Sequence, residues 1–239
     1  MSPSVRFPTT QWTLVISAGG PAGPESSEAL SALCETYWYP LYAYVRRSGH
    51  SVERSQDLTQ AFFARILEKH YLDRADANRG RFRAFLLSSL KFFLADEADR
   101  DHAQKRGGAI APIPFDIRRG EEFYMREPAH SETPEKIFER QWALTLLDRV
   151  LNQLKQELVD EGKGEQFDSL KGFLVHDESA SYVDAAARSN TTEGALKVAV
   201  HRLRKRYRDL FRSEIANTVA ETDQVDDEIR YLVRALRRE

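Results

Sequence analysis

The sequence predicts an all-α protein: two small helical domains joined by a Pro/Gly-rich linker. Three observations carry that expectation. Apolar residues recur at three- and four-residue steps along most of the 239-residue chain, and no run of useful length alternates as a strand would. The nine prolines and twelve glycines are modest in number and clustered, so they punctuate helical blocks. Gly107, Gly108, Pro112, Pro114, Gly120, Pro128 and Pro134 fall in one stretch without helical period. It is long for a loop inside one compact domain, which makes residues 107–134 a linker.

Residues 1–27 are rich in Ser, Pro and Gly and read as an irregular N-terminal arm. Residues 28–106 read as helix, broken at Ser48-Gly49 and around Arg79-Gly80. The first helix, ALSALCETYWYPLYAYVRR, carries the stripe Leu30, Leu33, Tyr37, Leu41 and Tyr44. Its aromatics Tyr37, Trp38, Tyr39, Tyr42 and Tyr44 suit either a base-stacking platform or buried packing, with packing the favoured reading. The second, SVERSQDLTQAFFARILEKHY, puts Leu58, Phe62 and Ile66 on a core face, with Phe63 and Leu67 at its margin. Asp57, Gln60, Ala61, Ala64 and Arg65 lie away from that face. The third, RFRAFLLSSLKFFLADEADRDHAQKR, is apolar in its first half and charged in its second, so it should run from core to surface.

The second block, residues 135–215, opens within SETPEKIFERQWALTLLDRVLNQL. Ser131 or Thr133 can cap, Pro134 suits a first turn and Glu135 suits the positive helix end. Ile137, Trp142, Leu146, Val150 and Leu154 supply the stripe, and the GKG at 162–164 ends it. The tail, residues 216–239, carries a further helical stripe of Val225, Ile229, Leu232, Val233 and Leu236. It suits packing on the second block, or binding of a regulator.

Between them stands AAARSNTTEGALKVAVHRLRKRYRDLF, residues 185–211. A helix from Tyr182 to Arg188, a short turn and a second helix from about Thr192 make a helix-turn-helix. Ala185, Ala186 and Ala187 offer the small residues that crossing helices need, and Asn190 tolerates positive φ in the turn. Thr191 or Thr192 can cap the second helix, with Glu193 in its first turn. At about 100° per residue, Leu196, Ala199, Val200, Leu203, Tyr207, Leu210 and Phe211 fall on one side. Gly194, Lys197, Val198, His201, Arg202, Arg204, Lys205, Arg208 and Arg212 fall on the other or its flanks. A helix in a major groove needs that division: core behind, and in front cations that reach phosphates or guanine edges. A solvated amphipathic face would show the same charge. The capped turn and the clean split favour nucleic acid, and a net charge of -2 is no obstacle, because only the local footprint must be basic.

Composition excludes several classes. Hydrophobic residues at 41% and charged residues at 30% suit a globular protein with charged faces. One cysteine, Cys34, rules out an internal disulfide or Cys-based zinc site and reads as a small buried side chain. The six histidines show no close pair at metal-ligand spacing, so no metal or cofactor is expected. No run approaches the roughly 18 apolar residues of a membrane helix. The apolar patch Trp12–Ala18 lacks a basic region before it, so no signal peptide and a cytoplasmic location are expected. No nucleophile–base set or phosphate loop points to an enzyme.

The stretch SYVDAAARSNTTEGALKVAVHRLRKRYRDLF resembles region four of the extracytoplasmic-function (ECF) subfamily of RNA polymerase sigma factors, the region that reads promoters through a helix-turn-helix. Upstream, YWYPLYAYVRR, SQDLTQAFFARILEK and GRFRAFLLSSLKFFLADEADRDHAQKR resemble region two of the same family. The likeness covers residues 28–106 and 135–215, in the family's order. It implies a non-catalytic initiation factor in the bacterial cytoplasm, associated with the nucleoid. Its implied partners are promoter DNA and core RNA polymerase, through the clamp helices of the largest subunit and the flap, with an anti-sigma regulator as a further one.

The resemblance assigns residues as well. Asp57, Gln60, Ala61 and Arg65 match the polymerase-docking segment. Asn78, Arg79 and Arg81 match the loop that holds a flipped base of the downstream (−10) element, and Lys91, Arg100, Lys105 and Arg106 would hold strand phosphates. Lys197, Val198, His201, Arg202 and Lys205 match positions facing the upstream (−35) element. Ser189 and Thr191 depart from the family's usual Leu and Ile in the turn, and Phe92 from its usual polar residue. The alternative from another class is a helix-turn-helix regulator with an N-terminal interaction domain that does not bind core polymerase.

Overall fold

A computed structural model describes residues 24–67, 81–103, 117–125, 132–175, 182–219 and 221–237, and every regular element among them is helical. Helix α1 is Pro24–Arg47, α2 is Val52–Leu67 and α3 is Phe82–Ala103. They are followed by α4 (Ile117–Met125), α5 (Pro134–Asp160), α6 (Gly164–Leu170) and α7 (Gly172–Val175). The chain closes with α8 (Tyr182–Arg188), α9 (Glu193–Ala216), a 3-10 turn (Thr222–Gln224) and α10 (Val225–Leu236).

The expected punctuation holds where it is described. Gly49 stops α1 with φ +98°, a value that side chains disfavour, and the last turn holds Arg46 and Arg47 beside the negative helix end. Ser51 opens α2 by accepting the Arg54 amide at 3.2 Å, and Thr133 does the same for Lys136 at the start of α5 at 3.3 Å. Gly162, with φ +73°, separates α5 from α6.

The chain divides into two compact units: one formed by residues up to Thr145 together with those from Ile215 onward, the other by Leu146–Glu214. In the first unit α1 packs against α2 and α4. Tyr37 of α1 stacks on Trp142 of α5, with ring centroids 4.4 Å apart and 10° between planes, and Phe82 of α3 meets Tyr37 edge-on at 5.4 Å. Phe62 of α2 packs on Phe93 of α3. Tyr37, Tyr42 and Tyr44 are buried, as packing rather than stacking on nucleic acid requires, and Cys34 is buried, as expected of a small core side chain. Leu58, Phe62, Phe63 and Ile66 form the inner face of α2 as their spacing predicts.

These limits differ from those read in the sequence. The segment expected as linker contains α4, which docks on α1: Glu121 accepts from the Tyr42 hydroxyl and pairs with Arg46 at 2.7 Å, while Trp38 lies over Gly120. The block expected to begin at residue 135 gives its first turns to the first unit, because Ile137, Phe138 and Trp142 are buried there. The tail, expected against the second block, joins the first unit instead. Its anchor is Glu228, 1% exposed, paired with buried Arg83 at 2.6 Å and with Arg81 at 2.8 Å. The Phe82 amide also donates to the Thr218 carbonyl at 3.0 Å.

The second unit is built around Val150 and Leu154 of α5, Phe167 and Leu170 of α6, Phe173 of α7, Ala185 and Ala186 of α8, and Leu196, Val200, Leu203 and Leu210 of α9. Each fully buried aliphatic or aromatic side chain contributes about 1.5–3 kcal/mol of burial free energy. The core is therefore enough to fix α9 against α8 and α6 despite the shortness of those two helices.

Candidate nucleic-acid interface

Three small features set the geometry of α8 and α9. Ala185 and Ala186, 5% and 4% exposed, let the helices approach, while Ala187 faces out. Asn190 takes φ +47°, the left-handed conformation that Asn accepts more readily than most side chains. The turn closes on its own backbone: the Ser189 amide donates to Ala185 at 3.0 Å, and the Thr191 amide to Ala186 at 3.0 Å. The side chains of Ser189 and Thr191 are exposed, so neither leaves a buried polar group in the turn. Thr192 caps α9, its hydroxyl accepting the Ala195 amide at 3.2 Å.

Helix α9 divides as its periodicity predicts. Leu196, Val200, Leu203 and Leu210 are buried, and Ala199, Tyr207 and Phe211 are partly so. Lys197, Val198, His201, Arg202 and Lys205 are all exposed on the other side, and Arg208 extends that surface. Two arginines are committed elsewhere. Arg204 donates twice to the Phe173 carbonyl, at 2.9 and 2.7 Å, so it braces α7 and is removed from the front. Arg206 forms a two-point pair with Glu157 of α5, both contacts 2.8 Å. Lys197 reaches back to Glu193 at 2.6 Å, and that hydrogen bond, with the glutamate's charge, raises its pKa.

A groove of about 990 Å³ runs beside the start of α9. Gln166 and Ser169 of α6, Asn190 of the turn, and Gly194, Val198 and Arg202 of α9 are among the residues that line it. Val198, half exposed, suits a thymine methyl, and the Arg202 guanidinium carries the two-pronged donor geometry that guanine accepts. Gln166 and Ser169 were not legible as neighbours of this face, since nothing local in the sequence says that α6 lies against α9.

In the first unit the cations assigned by resemblance are only partly described. Asn78, Arg79, Lys105 and Arg106 lie outside the described residues. Arg81 is paired with Glu228, Lys91 with Glu135 at 2.7 Å, and Arg100 with Glu97 at 2.8 Å. Glu135's hydrogen bond raises the Lys91 pKa. Phe92, 70% exposed, is a large apolar side chain on the outer face of α3. On α2, Asp57 is exposed and Gln60 and Ala61 are half-buried; Arg65 pairs with Asp96 of α3 at 3.0 Å. Asp57, Gln60 and Ala61 thus share the side of α2 opposite its buried stripe.

Compared with models of protein families, with curated proteins and with solved structures, the chain matches none. Among the described residues no helix is long and apolar enough to cross a membrane.

Proposed function

We propose that this chain is a promoter-specificity factor of the ECF sigma type, a non-catalytic subunit that brings core RNA polymerase to DNA. The observation that carries the reading is the α8–turn–α9 arrangement. A left-handed Asn190, two buried alanines and a capped helix hold Lys197, Val198, His201, Arg202 and Lys205 outward on one face. Docked in a major groove, that face reads an upstream element through base edges, while neighbouring cations take phosphates.

The likeness of the first helical block to region two supplies the second half of the proposal. Asp57, Gln60 and Ala61, on the face of α2 away from the core, meet the polymerase clamp helices, with Arg65 alongside. Arg81, Lys91 and Arg100 serve the opened strand of the downstream element, together with Asn78, Arg79, Lys105 and Arg106. Melting suits basic residues around a single strand, and extrusion of a base costs a few kcal/mol that those contacts must offset. Two weak contacts on one chain act at high effective concentration. The site of action is the nucleoid in the cytoplasm.

The deciding experiment is a pull-down of core polymerase with the whole chain, followed by transcription from a library of genomic fragments. A sigma factor binds core enzyme and starts transcripts at defined positions. A regulator of the helix-turn-helix class retains duplex binding but recovers no core enzyme. Asp57→Ala combined with Gln60→Ala should weaken polymerase capture and leave duplex binding by α9 unaltered; unchanged capture removes the docking assignment.

A further inference from the structure

The tail of the chain supplies a carboxylate to the same arginine that the proposed function gives to single-stranded DNA. Arg81 stands immediately before α3, its side chain 34% exposed, with its Nε 2.8 Å from Glu228 Oε2. Arg83, two residues on, is buried and binds the same carboxylate at 2.6 Å through Oε1. One buried glutamate thus serves two guanidiniums. They are not equivalent, however. Arg83 also has Glu139 at 3.4 Å and lies 3.9 Å from the centre of the Tyr231 ring, against 5.9 Å for Arg81, so it is held from three sides.

This asymmetry decides which partner can leave. If Arg81 turns outward, Glu228 still faces Arg83 and no buried charge is stranded. If Arg83 left, its buried guanidinium would give up Glu228, Glu139 and the Tyr231 ring together, and Glu228 Oε1 would lose its hydrogen bond. Arg81 is therefore the displaceable member. A carboxylate that meets an arginine in this way offers the same anionic oxygens that a phosphodiester would.

We propose that Glu228 is an internal phosphate mimic: α10 occupies Arg81 with its own carboxylate and lowers the affinity of this junction for single-stranded DNA until a strand phosphate replaces it. The proposal rests on the placing of Arg81 where the opened strand is met, and gives it a phosphate there in place of the flipped base. It adds that the tail sets the threshold for that contact, so that a strand delivered at high local concentration is held and free single strands are not.

The test measures binding of a short thymidine homopolymer to the full chain across a salt series. Releasing one arginine for a phosphate should steepen the slope of log affinity against log salt by about 0.7, worth roughly fivefold in affinity at about 0.1 M salt. Glu228→Gln, which keeps a hydrogen-bonding group beside Arg83, is expected to show both changes; in an Arg81→Ala background it should show neither. Equal affinity and slope for wild type and Glu228→Gln, or a gain that survives Arg81→Ala, overturns the proposal.

Should the variant not fold, the wild-type protein answers by nuclear magnetic resonance of its arginine Nε–H groups. The oligonucleotide is expected to shift Arg81 and leave Arg83 in place. Movement of both, of neither, or an equal shift with inorganic phosphate alone is the contrary result. Polymerase capture separates this failure from that of the broader reading. Capture with no Arg81 response leaves a sigma factor without the mimic. An Arg81 response without capture leaves a nucleic-acid-binding protein in which Glu228 still acts as described.

Discussion

Leucine placed at two adjacent alanines of α8 should have opposite consequences. Ala186 is 4% exposed inside the cluster that includes Phe173, Leu196 and Val200, whereas Ala187 faces solvent. Ala186→Leu inserts three extra carbons into that buried cluster, and overpacking of that kind costs about 1–3 kcal/mol. The unfolding equilibrium of the second unit then rises roughly 5- to 150-fold, at tenfold per 1.4 kcal/mol. Ala187→Leu adds the same carbons to water and should stay within about 0.5 kcal/mol. Trp12, Trp38 and Trp142 all precede Leu146, so tryptophan fluorescence would miss the event. Hydrogen exchange of the α9 amides follows it directly. Exchange in α9 should accelerate in Ala186→Leu while Leu86–Phe93 of α3 is unchanged, and duplex binding should weaken in step. Equal exchange in the two leucine variants would falsify the crossing argument.

Other outcomes are expected from single residues. Arg202→Ala should weaken binding to a selected duplex by about 1–3 kcal/mol, the worth of a two-pronged base contact; the same loss on unrelated duplex reduces Arg202 to a phosphate contact. Gly120→Ala puts a Cβ 2.7 Å from the Trp38 ring. It should lift α4 from α1 at about 1–3 kcal/mol, seen as a change in the near-ultraviolet signal of Trp38; an unaltered spectrum and stability count against the packing. Burial, with the nearby Asp148, pushes the Tyr207 hydroxyl up to about 12 from 10.0. The folded state therefore holds its proton more tightly, so stability is flat below pH 10 and falls as pH rises from 10 to about 12. The stability difference between wild type and Tyr207→Phe, which includes the Tyr207 hydrogen bond to the Leu147 carbonyl, should change with pH only in that window.

Much of the helical architecture was legible because it is local. The stripes of α1, α2, α5 and α9 repeat at helical spacing, and Gly49, Gly162 and Asn190 mark their breaks by backbone conformation alone. The front of α9 followed from the same periodicity. What was not legible depends on contacts far apart in sequence. Gly120 lowered the helical reading of residues 117–125, yet it is there because Trp38 of α1 leaves no room for a side chain. Arg204 and Lys197 look alike along the stripe, but only the structure ties Arg204 to Phe173. In the tail, Val225 and Leu232 announced a buried face, and nothing in the sequence singled out Glu228 between them. Its partner Arg83 lies 145 residues away, a distance over which no periodic pattern carries information.

That same separation has a meaning during synthesis. Chains emerge N-terminus first, at roughly 5–20 residues per second. Across the 145 residues between them, Arg83 waits roughly 7 to 30 s for Glu228 to be made. Through that interval the first unit holds a guanidinium whose burial is incomplete, and Phe82 lacks the carbonyl of Thr218. Folding of the N-terminal helices is thus finished only once α10 has been translated, and a nascent chain arrested before residue 228 carries an open seam at the start of α3.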